Sequence, residues 1–368
     1  MLAPGPPKGP PINVTFVHAD SPAEWNSANW RSIIPAQALN RTRWHHAKVL
    51  GIQDFSLHLP VAEYHCNDAE VIVLQRGAMP QAWPAVEHWR EKGKAIVSDI
   101  DDGYIQIGPE HVAFNFWHRG ITAGPNGQPV RMPRPAILDM ADGLRRVQGL
   151  TAPNQLILDD WGKQTGVKTA LVPNYPDLRA YQAKRTRSPS DDNLTWVSWG
   201  GSAGHLQSFT QSGILYALSR VLSARPLTRL IYCGSDLRVL EALPLKPGQK
   251  EHFNWRRYAD WPALVANFDI ALIPAAGDFD ARRSQIKPLE CSLMGVPWIA
   301  SKTAAYDGLD EYGVLVDNTP DAWAGALIEL LEHGSDPQRL AHARKWALAQ
   351  DIDDHVDEIV KAYRSFGK

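Results

Sequence analysis

Cysteine is scarce: three in 368 residues, Cys66, Cys233 and Cys291, widely spaced, odd in number and without a CxxC pair. That argues against a disulfide framework and a thiolate metal site, and reduced thiols in a cytoplasmic protein are the expectation. Long hydrophobic runs are missing too. None approaches the roughly 18 residues of a membrane span, and the Pro- and Gly-rich opening from Met1 to Pro11 lacks a signal peptide's apolar core. Neither sign of charge dominates: 38 basic against 40 acidic residues leave a formal charge of -2, so no overall basic field draws nucleic acid. No low-complexity tract or repeat of about 20 to 50 residues points to a solenoid or a disordered chain.

What is present is an ordinary globular composition, 44% hydrophobic and 21% charged, long enough for two domains. Short apolar runs alternate with helix-capable stretches. In the first half the strand candidates are Ile12 to His18, Val71 to Leu74, Ala95 to Ser98 and Gln155 to Leu158, with helical stretches at Gln81 to Lys92 and Gly162 to Gly166. Gly120 to Pro135 reads as an irregular surface excursion. After a charged loop from Lys184 to Asp192 a second alternation begins, with strands at Leu194 to Trp199, Arg229 to Cys233, Ile270 to Ile273, Pro297 to Ser301 and Val314 to Val316. Such alternation predicts α/β architecture, two doubly wound Rossmann-like domains with parallel sheets facing across a cleft. The boundaries follow as 1–172, 173–345 and a closing helix in 346–368 that packs back on the first domain. The short, Pro-bounded link Val172-Pro173-Asn174-Tyr175-Pro176 suits a hinge that lets the domains close over a ligand.

The strongest local signal runs from Ser284 to Ser301: a helix start, Lys287 and Glu290 three apart on one face, Gly295 ending the helix, and a strand entered through Pro297. A cation in a helix's first turn opposes the dipole, so Lys287 is easier to explain with a phosphate beside it. A surface ion pair between Lys287 and Glu290 is the plain alternative. Gly200-Gly201-Ser202 is a turn whose amides can approach a pyrophosphate, or simply a turn. His205 is either an exposed helix-start residue or a phosphate contact, and Ser284 either an N-cap or a phosphate-facing hydroxyl.

These segments resemble the C-terminal domain of GT-B glycosyltransferases of the group 1, family 4-like type, with their K-x-x-E-x-x-x-x-G-x-P-V-V-A-S pattern. The turn from Trp199 to His205, the strand Leu230 to Gly234, the segment Tyr258 to Pro274 and the linker Val172-Pro173-Asn174 follow in the family's order, so the likeness spans about Leu171 to Phe366. It implies a retaining transfer of a sugar from a nucleoside diphosphate donor, a UDP- or GDP-sugar, to an acceptor hydroxyl, with no cofactor and no metal required. By that resemblance Lys287, Glu290 and His205 are the catalytic group, with Glu290 on the ribose hydroxyls. Gly200, Gly201, Ser202, Ser284, Ile286, Gly234 and Asp280 bind the donor. One departure stands out: the family's sugar-contacting glutamate falls at position 282, which is Arg282, with Asp278 or Asp280 as possible substitutes in the same loop.

In the first half, Asn26 to Leu39 resembles the family's S-x-x-x-R helix start, and Val97 to Asp102 a strand-end D-x-D-D. Asn29, Arg31, Asp99, Asp101, Asp102 and His118 are therefore the expected acceptor-side residues, with His111 nearby. Fourteen tryptophans, among them Trp25, Trp30, Trp44, Trp83, Trp117 and Trp255, suit core packing or stacking on sugars and bases. The basic clusters at Arg41 and Arg43, Arg145-Arg146, Lys184 to Arg187 and Arg256-Arg257 leave a polyanionic acceptor open. The acceptor is accordingly a glycan, a small molecule or a hydroxylated DNA base. A protein that binds nucleotide or sugar without turnover is the non-enzymatic alternative.

Overall fold

The computed structural model describes residues 9–21, 26–187, 193–234, 236–241, 243–254 and 256–367. Trp25, Trp255 and part of the expected charged loop, 188–192, lie outside them. Two six-stranded parallel sheets organise the chain. The first is built from β1 (Asn13–His18), β2 (His46–Gly51), β3 (Val71–Gln75) and β4 (Ala95–Asp99). After a separate antiparallel pair, β5 (Ile121–Ala123) and β6 (Pro129–Arg131), it is completed by β7 (Gly149–Ala152) and β8 (Thr169–Leu171), in the order β2-β1-β3-β4-β7-β8. The second holds β9 (Thr195–Gly200), β10 (Thr228–Cys233), β11 (Lys250–Phe253), β12 (Ile270–Ile273), β13 (Trp298–Ser301) and β14 (Val314–Val316), in the order β11-β10-β9-β12-β13-β14.

Unbroken apolar runs such as Val71-Ile72-Val73-Leu74 form central strands because helices cover both faces, and every residue of β3 and β4 is buried. Strand order reverses between β1 and β3 and again between β9 and β12. A crevice opens at the carboxyl ends of the strands at such reversals.

Two readings are corrected by this fold and one is extended. Gln155 to Leu158 is not a strand but the start of the helix Gln155–Thr165. The Asn154 side chain accepts the Leu156 N–H at 2.8 Å and caps it, and Ile157, Leu158 and Trp161 bury one helical face. The stretch Gly162 to Gly166 is its last turn, closed by Gly166 at φ 72°. Gly120 to Pro135 contains the β5–β6 hairpin rather than irregular chain. β2, β7, β8 and β11 went unanticipated; β2, β8 and β11 are edge strands, and β2 and β11 are polar, so burial on two faces never wrote an apolar run into them, while the interior β7 is only Gly149-Leu150-Thr151-Ala152, too short and small for such a run.

The chain's end returns to the first sheet. Val356, Ile359, Val360 and Tyr363 share a core with Val14 and Phe16, the Tyr363 ring meeting Phe16 edge-on at 5.9 Å. Phe366 lies against Gly149, where any side chain would collide with its ring. All three cysteines are buried free thiols. Among the described residues no helix is long and apolar enough to cross a membrane.

Candidate active site

Between the two sheets' carboxyl edges lies a cavity of about 680 Å³ lined by both halves of the chain. Its wall from the second half is centred on the helix Ile286–Leu293. Gln285 flanks the start of this helix and no side chain caps it, so of the two roles open to Ser284 the N-cap is not taken up, and Ser284 stands one residue further out and lines the cavity. First-turn N–H groups without a side-chain cap favour an anion. Ile286 and Lys287 line the cavity at this end.

Lys287 and Glu290 do not form the surface ion pair. Glu290 is 1% exposed and its Oε1 accepts from the Tyr181 hydroxyl at 2.9 Å. Burial, and then Glu290 itself, pushes the Tyr181 phenol well above its ordinary range. Burial, reinforced by the neighbouring Arg283 guanidinium, brings the Lys287 ammonium down to about 7. His205 lines the same wall, its Nδ1 hydrogen-bonded with Ser202 Oγ at 3.2 Å. Burial first, then Arg283 and Lys287, holds it well below its usual value, so the imidazole is neutral.

Gly200, Gly201 and Ser202 line the cavity, but the Gly201 N–H is spent on the Cys233 carbonyl at 3.0 Å and is no phosphate donor. Two other expected donor residues sit behind the wall. Gly234 packs where a side chain would collide with the Gly201 carbonyl and the Tyr232 hydroxyl. Asp280, 2% exposed, accepts from the Ala276 N–H at 2.6 Å and from Arg283 Nε at 2.7 Å.

Arg283 is the residue the sequence reading missed. It lines the cavity, with Nη1 3.8 Å from Asp102, Nη2 donating to the Gly204 carbonyl at 3.4 Å and the guanidinium 4.8 Å over the Phe279 ring. Its place four residues before Lys287 was the available signal, masked by the neighbouring Arg282 in the family's glutamate position.

From the first half, Asp101, Asp102 and Arg31 line the cavity, whereas Asn29, Asp99 and His118 do not. Arg31 is committed within its own chain. It is 3% exposed and donates to both Asp99 oxygens at 2.8 and 2.7 Å, to the Val172 carbonyl at 2.7 Å and to Asn174 Oδ1 at 2.7 Å. Asp99 also accepts from Thr151 at 2.6 Å, which leaves it fully committed. Asn29 is buried in the π-helical turn Asn29–Ile33, and His118 Nε2 is 3.0 Å from the Tyr104 carbonyl with its ring stacked on Phe114. Members of the basic clusters are paired, Arg41 with Asp177 and Asp353, Arg146 with Glu87, Arg185 and Arg187 together with Asp269, and Arg257 with Asp260, while Arg256 lines the cavity beside Phe253.

Arg282 turns away from the cavity to an ion pair with Asp160, reached by Nη2 at 3.1 Å, while Gln106 donates to the same carboxylate at 3.0 Å. Asn154 donates to the Ala281 and Arg283 carbonyls at 3.3 and 3.0 Å. This seam holds the 281–283 loop against the first half. Asp160→Ala is expected to remove about 1 kcal/mol from the closed arrangement, a roughly fivefold shift toward open forms. Small-angle scattering of the variant without nucleotide should show a larger radius of gyration; an unchanged envelope means that the seam does not hold the cleft.

Residues 201–333 match the family model described as glycosyl transferases group 1. Among solved structures the chain is similar to sucrose-phosphate synthase from Thermosynechococcus elongatus, with TM-score 0.65 and 13% identity over 96% of this chain and 98% of that one. HepE from Anabaena, in complex with UDP and glucose, gives TM-score 0.62 and 15% identity over 95% and 98%. Trehalose-6-phosphate synthase OtsA gives 0.61 and 10% over 96% and 99%. A comparison with curated proteins finds no match. The solved structures share the GT-B fold with this chain, and residues 201–333 carry the likeness to group 1 glycosyl transferases.

Proposed function

We propose that the chain transfers a sugar from a nucleoside diphosphate donor, a UDP- or GDP-sugar, to an acceptor hydroxyl with retention of configuration. The observation that carries the donor half is a convergence: the uncapped start of Ile286–Leu293, the Lys287 ammonium and the Arg283 guanidinium meet on one cavity wall, with Glu290 one turn deeper. Preorganised positive groups of this kind stabilise a departing diphosphate. Glu290, oriented by Tyr181, accepts the ribose hydroxyls and so fixes the donor. The neutral His205 leaves the positive charge to Arg283 and Lys287. UDP in the HepE structure supports a uridine donor as the first to try. Retention rests on the family resemblance.

The test is calorimetric titration with UDP, GDP and ADP, followed by turnover with the matching sugars. Glu290→Ala is expected to lose one or two charge-assisted bonds, about 1.5 to 3 kcal/mol each, and with them tenfold or more in nucleotide affinity. Tyr181→Phe, which only frees the carboxylate to turn, should cost a few-fold. No affinity for any of the three nucleotides would overturn the proposal. Tight binding without turnover on a broad acceptor panel would favour a binding protein.

A further inference from the structure

Glu290 is held from outside the cavity as well as from within it. Between β8 and β9 the chain crosses through the 3₁₀ turn Leu178–Tyr181, whose two ends are gripped by different halves. At its start, Asp177 caps the turn by accepting the Arg179 N–H at 3.1 Å. At its end, the Tyr181 ring packs among Leu289, Leu293 and Ala347, and its hydroxyl donates to Glu290 Oε1 at 2.9 Å.

Four charged side chains close a ring around the start of this turn. Arg41, the last residue of the helix Ile34–Arg41, donates to Asp177 Oδ2 at 2.9 Å and to Asp353 Oδ1 at 2.9 and 2.5 Å. Arg179 completes the ring, reaching Asp177 Oδ1 at 3.3 Å and Asp353 Oδ2 at 2.6 Å. Asp353 comes from the returning chain end, where Ile352 sits in the first sheet's core and donates its N–H to the Pro176 carbonyl at 3.0 Å. Burial would raise the Asp353 carboxyl, but the two guanidinium groups outweigh it and hold it below the usual carboxylate range. The start of the turn is thereby fixed to the first half. Only Ala180 separates that grip from Tyr181, so the chain has no slack between them. Tyr258 adds a second tie at the same place: its ring meets Trp30 of the first half edge-on at 6.0 Å, and burial, then the Glu290 and Asp177 carboxylates, pushes its phenol above its ordinary range.

We propose that this ring positions the donor carboxylate: Arg41, Asp177, Arg179 and Asp353, none of which lines the cavity, set the depth at which Tyr181 meets Glu290 and so the nucleotide affinity of the site. The proposal rests on the donor reading above and extends it to four residues outside the cleft. They are positioning residues, acting on the nucleotide only through Tyr181 and Glu290. Both arginines bond both aspartates, and the members of such a shared network depend on one another. A carboxylate held slightly out of place loses directed bonds to hydroxyls while the fold persists.

Calorimetric titration of the full chain with the tightest binder of UDP, GDP and ADP tests it. Arg41→Met and Arg179→Met should each weaken binding by about three- to fivefold, close to the loss from Tyr181→Phe, and Arg41→Lys should recover part of it. In the double variant that combines Arg41→Met with Tyr181→Phe, the loss should not exceed that of Tyr181→Phe alone, because both act through one hydrogen bond. A merely structural role lowers the denaturant midpoint without this non-additivity. Arg179, the more exposed of the two arginines, carries the test where Arg41→Met folds poorly. Unchanged affinity in both arginine variants, or losses that multiply with that of Tyr181→Phe as independent sites do, would overturn the proposal. Nucleotide binding by the parent with unchanged affinity in the variants sinks this inference alone, while no binding of any of the three nucleotides takes the donor reading down with it.

Discussion

Lys287→Met is expected to lower kcat for sugar transfer by about 10²- to 10³-fold, the usual result of deleting one preorganised charge-stabilising group, while the donor KM moves by less than tenfold. The split follows from where charge develops. Negative charge on the leaving diphosphate grows toward the transition state, and only interactions stronger there than in the ground state accelerate the reaction. The fold should be spared, since Lys287 forms no ion pair among the described residues.

The pH dependence supplies a second readout. In the empty cleft Lys287 titrates at about 7 because burial, then Arg283, disfavours its charge. A bound diphosphate favours the charged form and raises that value. Nucleotide affinity is therefore full below pH 7 and falls as the pH climbs from 7 toward the raised value in the complex, with proton uptake on binding in that window. Calorimetry in buffers of different ionisation enthalpy measures the uptake, and Lys287→Met should abolish it. Affinity that is flat from about pH 6 to 9 in the parent protein would remove Lys287 from the diphosphate.

Arg31→Ala is expected to cost about 3 to 5 kcal/mol of stability, because it strands the buried Asp99 carboxylate without its partner. The loss should appear as a lower denaturant midpoint and poor soluble yield. Since Arg31 also holds Val172 and Asn174 at the start of the link between the sheets, it joins β4 to that link. Arg31→Lys should recover little, because a single ammonium cannot replace four directed bonds on three residues. If Arg31 served the acceptor instead, substitution would raise the acceptor KM and leave the midpoint near that of the parent, so the two roles separate cleanly.

Much of the fold was legible in the chain. Central strands such as β3, β4, β12 and β13 are buried on both faces, and that demand writes an apolar run into the sequence. The edge strands β2, β8 and β11 carry no such demand and left no trace, and neither did the interior β7, whose Gly149-Leu150-Thr151-Ala152 holds a single large apolar residue. Gln155 to Leu158 misled because its composition suits a strand, while the Asn154 cap and the burial of Trp161 on the same helical face as Ile157 and Leu158 decide for helix.

At the site, the sequence by itself determined the helix bearing Lys287 and Glu290 and the glycine turn before His205, since each is a local pattern of spacing and chain reversal. Side-chain destination was decided only by the tertiary structure. Arg31 and Asp99 are 68 residues apart and neutralise each other in the core, and Arg282 leaves the cavity for Asp160, 122 residues away. Arg283 is drawn into the cavity wall between Asp280 and Asp102. A charged side chain pays a large desolvation cost unless it finds a partner, and in a two-sheet fold that partner comes from whichever strand end or helix lies across the cleft, a distance that no local spacing encodes.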